Sequence, residues 1–197
     1  MPSPSQLVRL VARALAIAIV LVGGLAHGDP AADDRRALVM LRVLAYDKQL
    51  PQRIGDSARI VVVYAKGDDA EATRWAGAFG KATKLKIDGR PVVLSLHAFE
   101  SVDALDRLMR DLHPAALVAC DGLARRIATP ELAKLSRARH VLTFTTRENE
   151  VARGLGVGVV PGADRDEIVI NLHAVAAEGV KFDAGLLQLA RTVKEEL

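Results

Sequence analysis

Apolar residues recur along the chain in two spacings, one typical of strands and one typical of helices. Residues 59–65 form an unbroken, β-branched apolar run, which is the pattern of a strand buried on both faces of a sheet. Stretches with helical spacing lie between most runs of this kind. The predicted strands are 59–65, 91–96, 115–120, 140–145, 156–160 and 167–171, and the predicted helices are 37–50, 69–82, 101–112, 129–138, 148–153 and, with a break at Gly179, 172–196.

Helices between successive strands favour a largely parallel sheet, because a parallel pair of strands needs a crossover connection. The last two predicted strands are an exception. Only residues 161–166 join them, and so short a connection gives an antiparallel hairpin, which we place at one edge of the sheet. The pattern therefore predicts an α/β fold, a single-domain three-layer sandwich with a mostly parallel sheet, an antiparallel C-terminal edge hairpin and a C-terminal helix.

The N-terminus has the order of a secretory signal peptide. Arg9 and Arg13 precede or enter an apolar stretch, 14–22, and small residues follow up to Gly28. The apolar stretch is shorter than the ~20 residues that span a bilayer, so we expect cleavage after Gly28 rather than a membrane anchor. The predicted divisions are a signal peptide at 1–28, a linker at 29–36 and one α/β domain at 37–197, and the mature protein is expected to be periplasmic and not membrane-spanning.

Removal of the signal peptide changes the charge of the product. The whole chain has 27 basic and 24 acidic residues, and residues 1–28 contain two of the basic residues and no acid. The mature chain is left with 25 against 24, or +1, and its basic pairs have no interleaved aromatics. We therefore expect no binding to nucleic acid. Half of the chain is hydrophobic but only 4% is aromatic, which excludes a disordered chain and predicts an aliphatic core.

Cys120 is the only cysteine, so the chain cannot form an intramolecular disulfide. Because it ends an apolar run, we expect it to be buried as a small hydrophobe.

The motifs of common enzyme and nucleotide sites are not found in the sequence. The segment Gly154-Leu-Gly156-Val-Gly158 lacks the third glycine of the dinucleotide fingerprint, and it leads into a strand instead of opening a helix. There is no phosphate-binding G-x-x-x-x-G-K-S/T loop and no G-x-S-x-G turn, and no histidine of the mature chain has a partner at metal-ligand spacing. The sequence predicts a protein that is not an enzyme, with no catalytic residues, no metal site and no cofactor.

A polar rim is the remaining candidate for ligand binding. In an open parallel sheet, ligands bind beyond the carboxyl ends of the strands, where helix N-termini also point. Polar residues follow several predicted strands, although the same residues also cap helices and turn the chain in any fold of this class. Both interpretations stay open. The candidate ligand-binding residues are Lys66, Asp68, Asp121, Gly122, Thr145, Thr146 and Asn149.

The last third of the chain carries the most specific pattern. A strand with two glycines at 156–160 and a short turn precede 168–191, which read I-V-I-N-L-H-A-V-A-A-E-G-V-K-F-D-A-G-L-L-Q-L-A-R. This region resembles the YfiR-like family of periplasmic proteins. Asn171 is expected to cap a helix after the hairpin, and Gly179 is expected to bend one. The motif residues are Gly156, Gly158, Asn171, Gly179, Phe182, Leu186 and Leu187.

The resemblance implies a non-enzymatic periplasmic regulatory protein. Its expected partner is a membrane-anchored signalling protein, a diguanylate cyclase or a sensor kinase, and its expected role lies in cyclic-di-GMP signalling. The first helix and the surface near the terminal helix are the candidate partner faces, and the resemblance is also consistent with a homodimer. The alternative function is a periplasmic small-ligand binding module that resembles one lobe of a solute-binding protein and uses the polar rim.

Two features depart from that family. Its members often have an aromatic-rich segment after the first helix, where this chain reads Tyr46-Asp-Lys-Gln-Leu-Pro51. Several members also carry paired cysteines, which Cys120 alone cannot supply. We therefore expect no redox-sensing disulfide in this protein.

Overall fold

One eight-stranded sheet organises the part of the chain that the computed structural model describes, residues 29–82 and 84–194. The predicted signal peptide lies outside the described residues. The strand order across the sheet is β2-β3-β1-β4-β5-β6-β7-β8. The strands are β1 (Ala58–Ala65), β2 (Lys86–Ile87), β3 (Arg90–Phe99), β4 (Ala116–Ala119), β5 (Leu142–Thr145), β6 (Val157–Val160), β7 (Glu167–Asn171) and β8 (Arg191–Val193).

Helices cover both faces of this sheet, as the sequence predicts. In β1, Ile60 and Val62 pack on the side of the helices at 30–45 and 69–82, whereas Val61 and Val63 pack on the side of the helices at 102–112 and 129–139. The five central strands are parallel, and β6 and β7 form the predicted antiparallel hairpin. The helices are α1 (Pro30–Ala45), α2 (Leu50–Arg53), α3 (Asp69–Ala82), α4 (Val102–Leu112), α5 (Thr129–Arg139), α6 (Glu148–Ala152), α7 (Leu172–Ala177) and α8 (Ala184–Leu189).

The C-terminal helix differs from its prediction. Gly179, at φ +75°, interrupts it as expected, because a left-handed residue ends a helix and glycine adopts that conformation without strain. Beyond α8, however, residues 191–193 form the strand β8, which pairs with β7 in parallel register. The hairpin therefore lies one strand in from the edge, because β8 takes up hydrogen-bonding groups that β7 would otherwise expose.

The segment predicted as a linker, 29–36, is instead the beginning of α1. The Asp29 side chain accepts the backbone N–H of Ala31 at 3.0 Å, and Pro30 occupies the first helical position. Two of its acidic residues bind α3: Asp33 accepts from Arg74 at 3.1 Å, and Asp34 accepts from Lys81 at 2.6 Å.

A second hairpin, between β2 and β3, is absent from the prediction. Its two turn residues, Asp88 and Gly89, have φ values of 50° and 75°, the geometry of a two-residue turn that Asp-Gly strongly favours. The Asp-Gly dipeptide is the sequence signal from which this hairpin could have been predicted.

Candidate functional site

The carboxyl ends of β1, β4 and β5 meet at one edge of the sheet and bring much of the predicted polar rim together. Asp121, after β4, accepts the hydroxyl hydrogen of Thr146, after β5. Asp68, after β1, accepts from the Arg125 guanidinium at 2.7 Å. The rim carboxylates are thus bound to protein groups on neighbouring loops.

Glu71 completes the rim but was not among the candidate residues. Its Oε1 accepts the backbone N–H of Asp121 at 2.8 Å. Burial raises the pKa of Glu71, while these backbone hydrogen bonds act in the opposite direction. The loop approaches closely because residue 122 is glycine. A Cβ there would lie 1.9 Å from Asp68 Oδ2.

The remaining rim candidates divide into buried and exposed residues. Thr145 is buried, and its hydroxyl donates to Glu150 Oε2 at 2.5 Å and accepts the N–H of Arg147 at 3.1 Å. Burial raises the pKa of Glu150. Lys66 and Asn149 are exposed, and Lys66 contributes its carbonyl to Arg126 at 3.4 Å. The rim therefore acts mainly as a network that fixes three loops, with two polar side chains facing solvent.

Within the described residues, no group of three or more His, Cys, Asp or Glu side chains could hold a metal ion. Cys120 is buried as predicted, and burial raises the pKa of its thiol, which opposes formation of the nucleophilic thiolate.

A buried carboxyl group forms the centre of the C-terminal motif. Glu178 follows α7 and is fully buried. It accepts the hydroxyls of Ser136 at 2.8 Å and Thr143 at 2.7 Å and the N–H of Thr143 at 3.1 Å. The Thr143 hydroxyl also accepts the N–H of Gly156 at 2.7 Å. A Cβ at position 156 would lie 2.4 Å from Glu178 Oε2, so this network accounts for the motif glycine.

This carboxyl group makes folding stability depend on pH. Burial raises the pKa of Glu178 from an ordinary 4.5 to about 7, against the lowering effect of hydrogen bonds from Thr143 and Ser136. The folded protein therefore holds the proton more tightly than the unfolded chain does. The stabilisation from this group is fully present below pH 4.5 and is lost as the pH rises through about 7, a change of about 3 kcal/mol.

We expect the free energy of unfolding to fall between about pH 5 and pH 8, and the Glu178→Gln variant, which cannot titrate, to show a flatter profile. Urea unfolding at a series of pH values measures both. An equally steep decline in the variant would assign the pH dependence to other groups.

Other motif residues have structural roles. Asn171 caps α7 as predicted, accepting the N–H of Ala174 at 3.0 Å, and its amide nitrogen donates to the Val151 carbonyl at 3.0 Å. Phe182 and Leu186 belong to the core, and Leu187 packs against it. These residues hold the end of the chain on the sheet.

The segment that departs from the family pattern packs against the same motif. Asp47 forms an antiparallel bridge with Phe182. Its buried carboxylate binds the Arg53 guanidinium and accepts the N–H of Lys181 at 3.0 Å. Arg53 in turn donates to the His140 carbonyl at 2.9 Å. One buried ion pair thus joins three separate parts of the sequence.

A groove opens beside α8, and we call it the Leu189 groove. It is lined by residues 163–166 of the hairpin loop, the first two residues of β7, Leu189 and Arg191. Leu189 is one of the apolar residues of the predicted C-terminal helix, and its side chain is 72% exposed. Arg36 of α1 donates to Asp166 in the loop at 3.0 Å. The first helix and the terminal helix, the two candidate partner faces, therefore adjoin one surface.

A sequence model of the family described as DUF4154, YfiR/HmsC-like, matches residues 36–191. The chain belongs to the YfiR/HmsC-like family. The match covers most of the chain and confirms the resemblance seen in its last third, and it supports a periplasmic regulatory role. No curated protein matches the chain significantly in sequence.

Solved structures of similar fold include proteins that bind small solutes. A substrate-binding protein with adhesive properties from Clostridium difficile, in its ligand-free open form, is 11% identical with a TM-score of 0.52, over 76% of this chain and 58% of that one. An ABC domain from Streptococcus pneumonia in complex with L-Trp is 12% identical, with a TM-score of 0.58 and coverage of 80% and 60%.

A conserved domain protein from Vibrio cholerae is 14% identical, with a TM-score of 0.56 and coverage of 81% and 60%. The chain thus spans about three fifths of the length of these structures, and the likeness shows the fold alone. Among the described residues, no helix has the length and apolar character needed to cross a membrane.

Proposed function

We propose that this YfiR/HmsC-like protein binds the periplasmic portion of a membrane-anchored signalling protein, a diguanylate cyclase or a sensor kinase, and restrains it through the Leu189 groove. The observation that carries the proposal is Leu189, the most exposed of the large apolar side chains described, on a chain whose family supports a regulatory role. Leu189 gives this concave surface an apolar centre, and an apolar side chain of a partner that covers it would remove both from water.

The charges around the groove also suit a protein partner. Arg191 forms two hydrogen bonds of 2.8 Å with Glu148, and Arg36 donates to Asp166 in the loop. Paired charges around an apolar centre form the polar rim of a typical interface.

The Leu189→Asp variant is expected to bind its membrane partner at least about tenfold more weakly, because burial of a leucine contributes about 1.5–3 kcal/mol and a buried unpaired carboxylate opposes binding. Leu172→Asp is the matched control, since Leu172 is 46% exposed but follows the opposite end of β7. The partner is first captured by a photo-crosslinking amino acid at position 189 in living cells. Binding is then measured with the purified periplasmic portion of that partner.

Deletion of the gene provides the second readout, cellular cyclic-di-GMP. The proposal requires a crosslinked membrane protein with a cyclase or kinase domain and a changed cyclic-di-GMP level when that partner is a cyclase. Absence of any such crosslink, together with unchanged cyclic-di-GMP, would overturn it.

Ligand binding at the polar rim has less support and stays a prediction. Asp68, Asp121 and Thr145 already hydrogen bond to protein groups, so a ligand there has to displace Arg125, Thr146 or Glu150.

A further inference from the structure

A small cleft lies between the edge strand β3 and the helix α4, near the carboxyl end of β3. Its volume is about 180 Å³, and its apolar walls are formed by Val63 of β1, Phe99 of β3, and Leu105 and Leu108 of α4. A cavity of about 150 Å³ with walls of this kind holds one benzene ring. The cleft therefore has the size and the surface for a single six-membered ring.

Two unsatisfied polar atoms lie on the face of β3 that borders this cleft. Ser95 pairs with Val61 and His97 pairs with Val63, and both valines pack on the α4 side of the sheet. Paired residues of neighbouring strands share a face, so Ser95 and His97 point to the same side. Ser95 Oγ and His97 Nε2 are buried and have no hydrogen-bond partner among the described residues. His97 itself lines the cleft.

The unpartnered imidazole is a group that folding alone does not explain. A buried polar atom without a partner lowers the stability of a fold, and native proteins contain few of them. Desolvation lowers the pKa of His97, which favours the neutral ring. With its proton on Nδ1, the neutral ring accepts a hydrogen bond at Nε2. A ligand hydroxyl supplies the donor that this nitrogen lacks.

The mouth of the cleft carries charge. A wider pocket beside the cleft shares Phe99 and Glu100 with it and is also lined by Lys66 and Arg126. The guanidinium of Arg126 donates to the Lys66 carbonyl at 3.4 Å, which holds it beside the end of β1. Two cations against one carboxylate leave the mouth with a net positive charge, and this charge favours an anionic group on the ligand.

The strand register gives the distance between the two polar ends of the site. His97 lies level with Val63, and Lys66 follows three residues after Val63. At about 3.3 Å per residue, the two levels are about 10 Å apart. An aromatic ring with a hydroxyl and a carboxylate on opposite sides spans this distance when each group forms one hydrogen bond.

We propose that this cleft binds a small hydroxylated aromatic carboxylate, of the hydroxybenzoate class. The ring lies against Phe99, and a modest rotation of His97 turns Nε2 from its covered position to the ligand hydroxyl. Lys66 and Arg126 bind the carboxylate at the mouth. This is the end of the strands at which open α/β sheets bind ligands. The Leu189 groove lies at the opposite edge of the sheet, so the inference is independent of the regulatory function proposed above.

Isothermal titration calorimetry of the purified protein with 4-hydroxybenzoate tests the proposal. We expect a dissociation constant below about 1 mM. Benzoate, which lacks the hydroxyl, should bind about fivefold more weakly, because one hydrogen bond to a neutral group is lost. Phenol, which lacks the carboxylate, should also bind more weakly than 4-hydroxybenzoate, and a higher ionic strength should reduce that difference.

The His97→Leu variant separates recognition of the hydroxyl from a merely structural role. It removes the unsatisfied nitrogen, so it should be at least as stable as the wild type in thermal unfolding. It should bind 4-hydroxybenzoate and benzoate equally, because only the wild-type imidazole distinguishes the two acids. Lys66→Met should weaken binding of both acids by a similar factor. The matched control is Lys134→Met, at an exposed lysine of α5, which should leave both affinities unchanged.

The Ala104→Trp variant tests the location of the site. Ala104 lines the cleft from the first turn of α4, and a tryptophan there fills the space of the ring. Binding of 4-hydroxybenzoate should be lost in this variant, and circular dichroism verifies that the variant folds.

The absence of binding by the wild type at about 10 mM 4-hydroxybenzoate overturns the proposal. Equal affinities of the wild type for 4-hydroxybenzoate and benzoate overturn it as well. So does a preference for the hydroxylated acid that persists in His97→Leu, or binding that Ala104→Trp leaves unchanged.

Discussion

Replacement of Glu178 by alanine is expected to lower the free energy of unfolding by about 3–5 kcal/mol. The substitution removes the acceptor of three hydrogen bonds and leaves the hydroxyls of Ser136 and Thr143 and the Thr143 N–H buried without it. It also leaves a cavity beside Gly156, where the glutamate now fills the space. Urea unfolding followed by circular dichroism at pH 5, where the stabilisation from Glu178 is largely present, measures the change.

The matched control is Glu148→Ala. Glu148 also accepts hydrogen bonds, from Arg191, but it is exposed, and exposed ion pairs contribute little to stability. Its unfolding is expected to stay close to that of the wild type. If Glu178→Ala is no less stable than Glu148→Ala, the buried network does not stabilise the fold.

The Asp47→Ala variant is expected to lose about 3–5 kcal/mol of unfolding free energy as well. The substitution leaves the Arg53 guanidinium in a mostly buried position without its carboxylate, and the N–H of Lys181 loses its acceptor. Because this carboxylate binds Arg53 and the N–H of Lys181 next to the backbone bridge with Phe182, residues 46–51 and the end of the chain should loosen together. Hydrogen exchange is expected to rise in both segments, and denaturant unfolding gives the size of the loss.

Lys48→Ala provides the control for Asp47. Lys48 is the next residue in the chain, but its side chain lies in solvent. It forms an ion pair with Asp183 in which both side chains are exposed. A much smaller effect is expected there. Equal effects of the two substitutions would show that the segment is held by its backbone pairing alone.

The regular elements could be predicted because their signals are local. The apolar run at 59–65 became β1 with one residue added, and 167–171 became β7 without change. Parallel strands that are buried on both faces are rich in β-branched residues, so the sequence of such a strand indicates that it is buried. The rim residues followed from the same logic, since the carboxyl ends of parallel strands share one edge.

Features that depend on distant partners could not be predicted. Glu178 looks like any polar residue near a helix end, and its partners Ser136 and Thr143 are 42 and 35 residues away. Leu189 has the spacing of a core residue, but α8 ends there and leaves it in solvent. β8 forms because it can pair with the free edge of β7, and the strand propensity of residues 191–193 alone does not indicate that pairing.

The contact between Asp47 and Lys181 also determines the order in which this fold can be completed. The two residues are 134 positions apart, and a chain is synthesised from its N-terminus. Asp47 can bind Arg53 early, but its contacts with Lys181 and Phe182 form only when nearly the whole chain is available. Contacts between residues so far apart in sequence form late in folding. The last residues of the motif therefore complete the packing after the first helix, and a nascent chain that stops before them leaves this packing unformed.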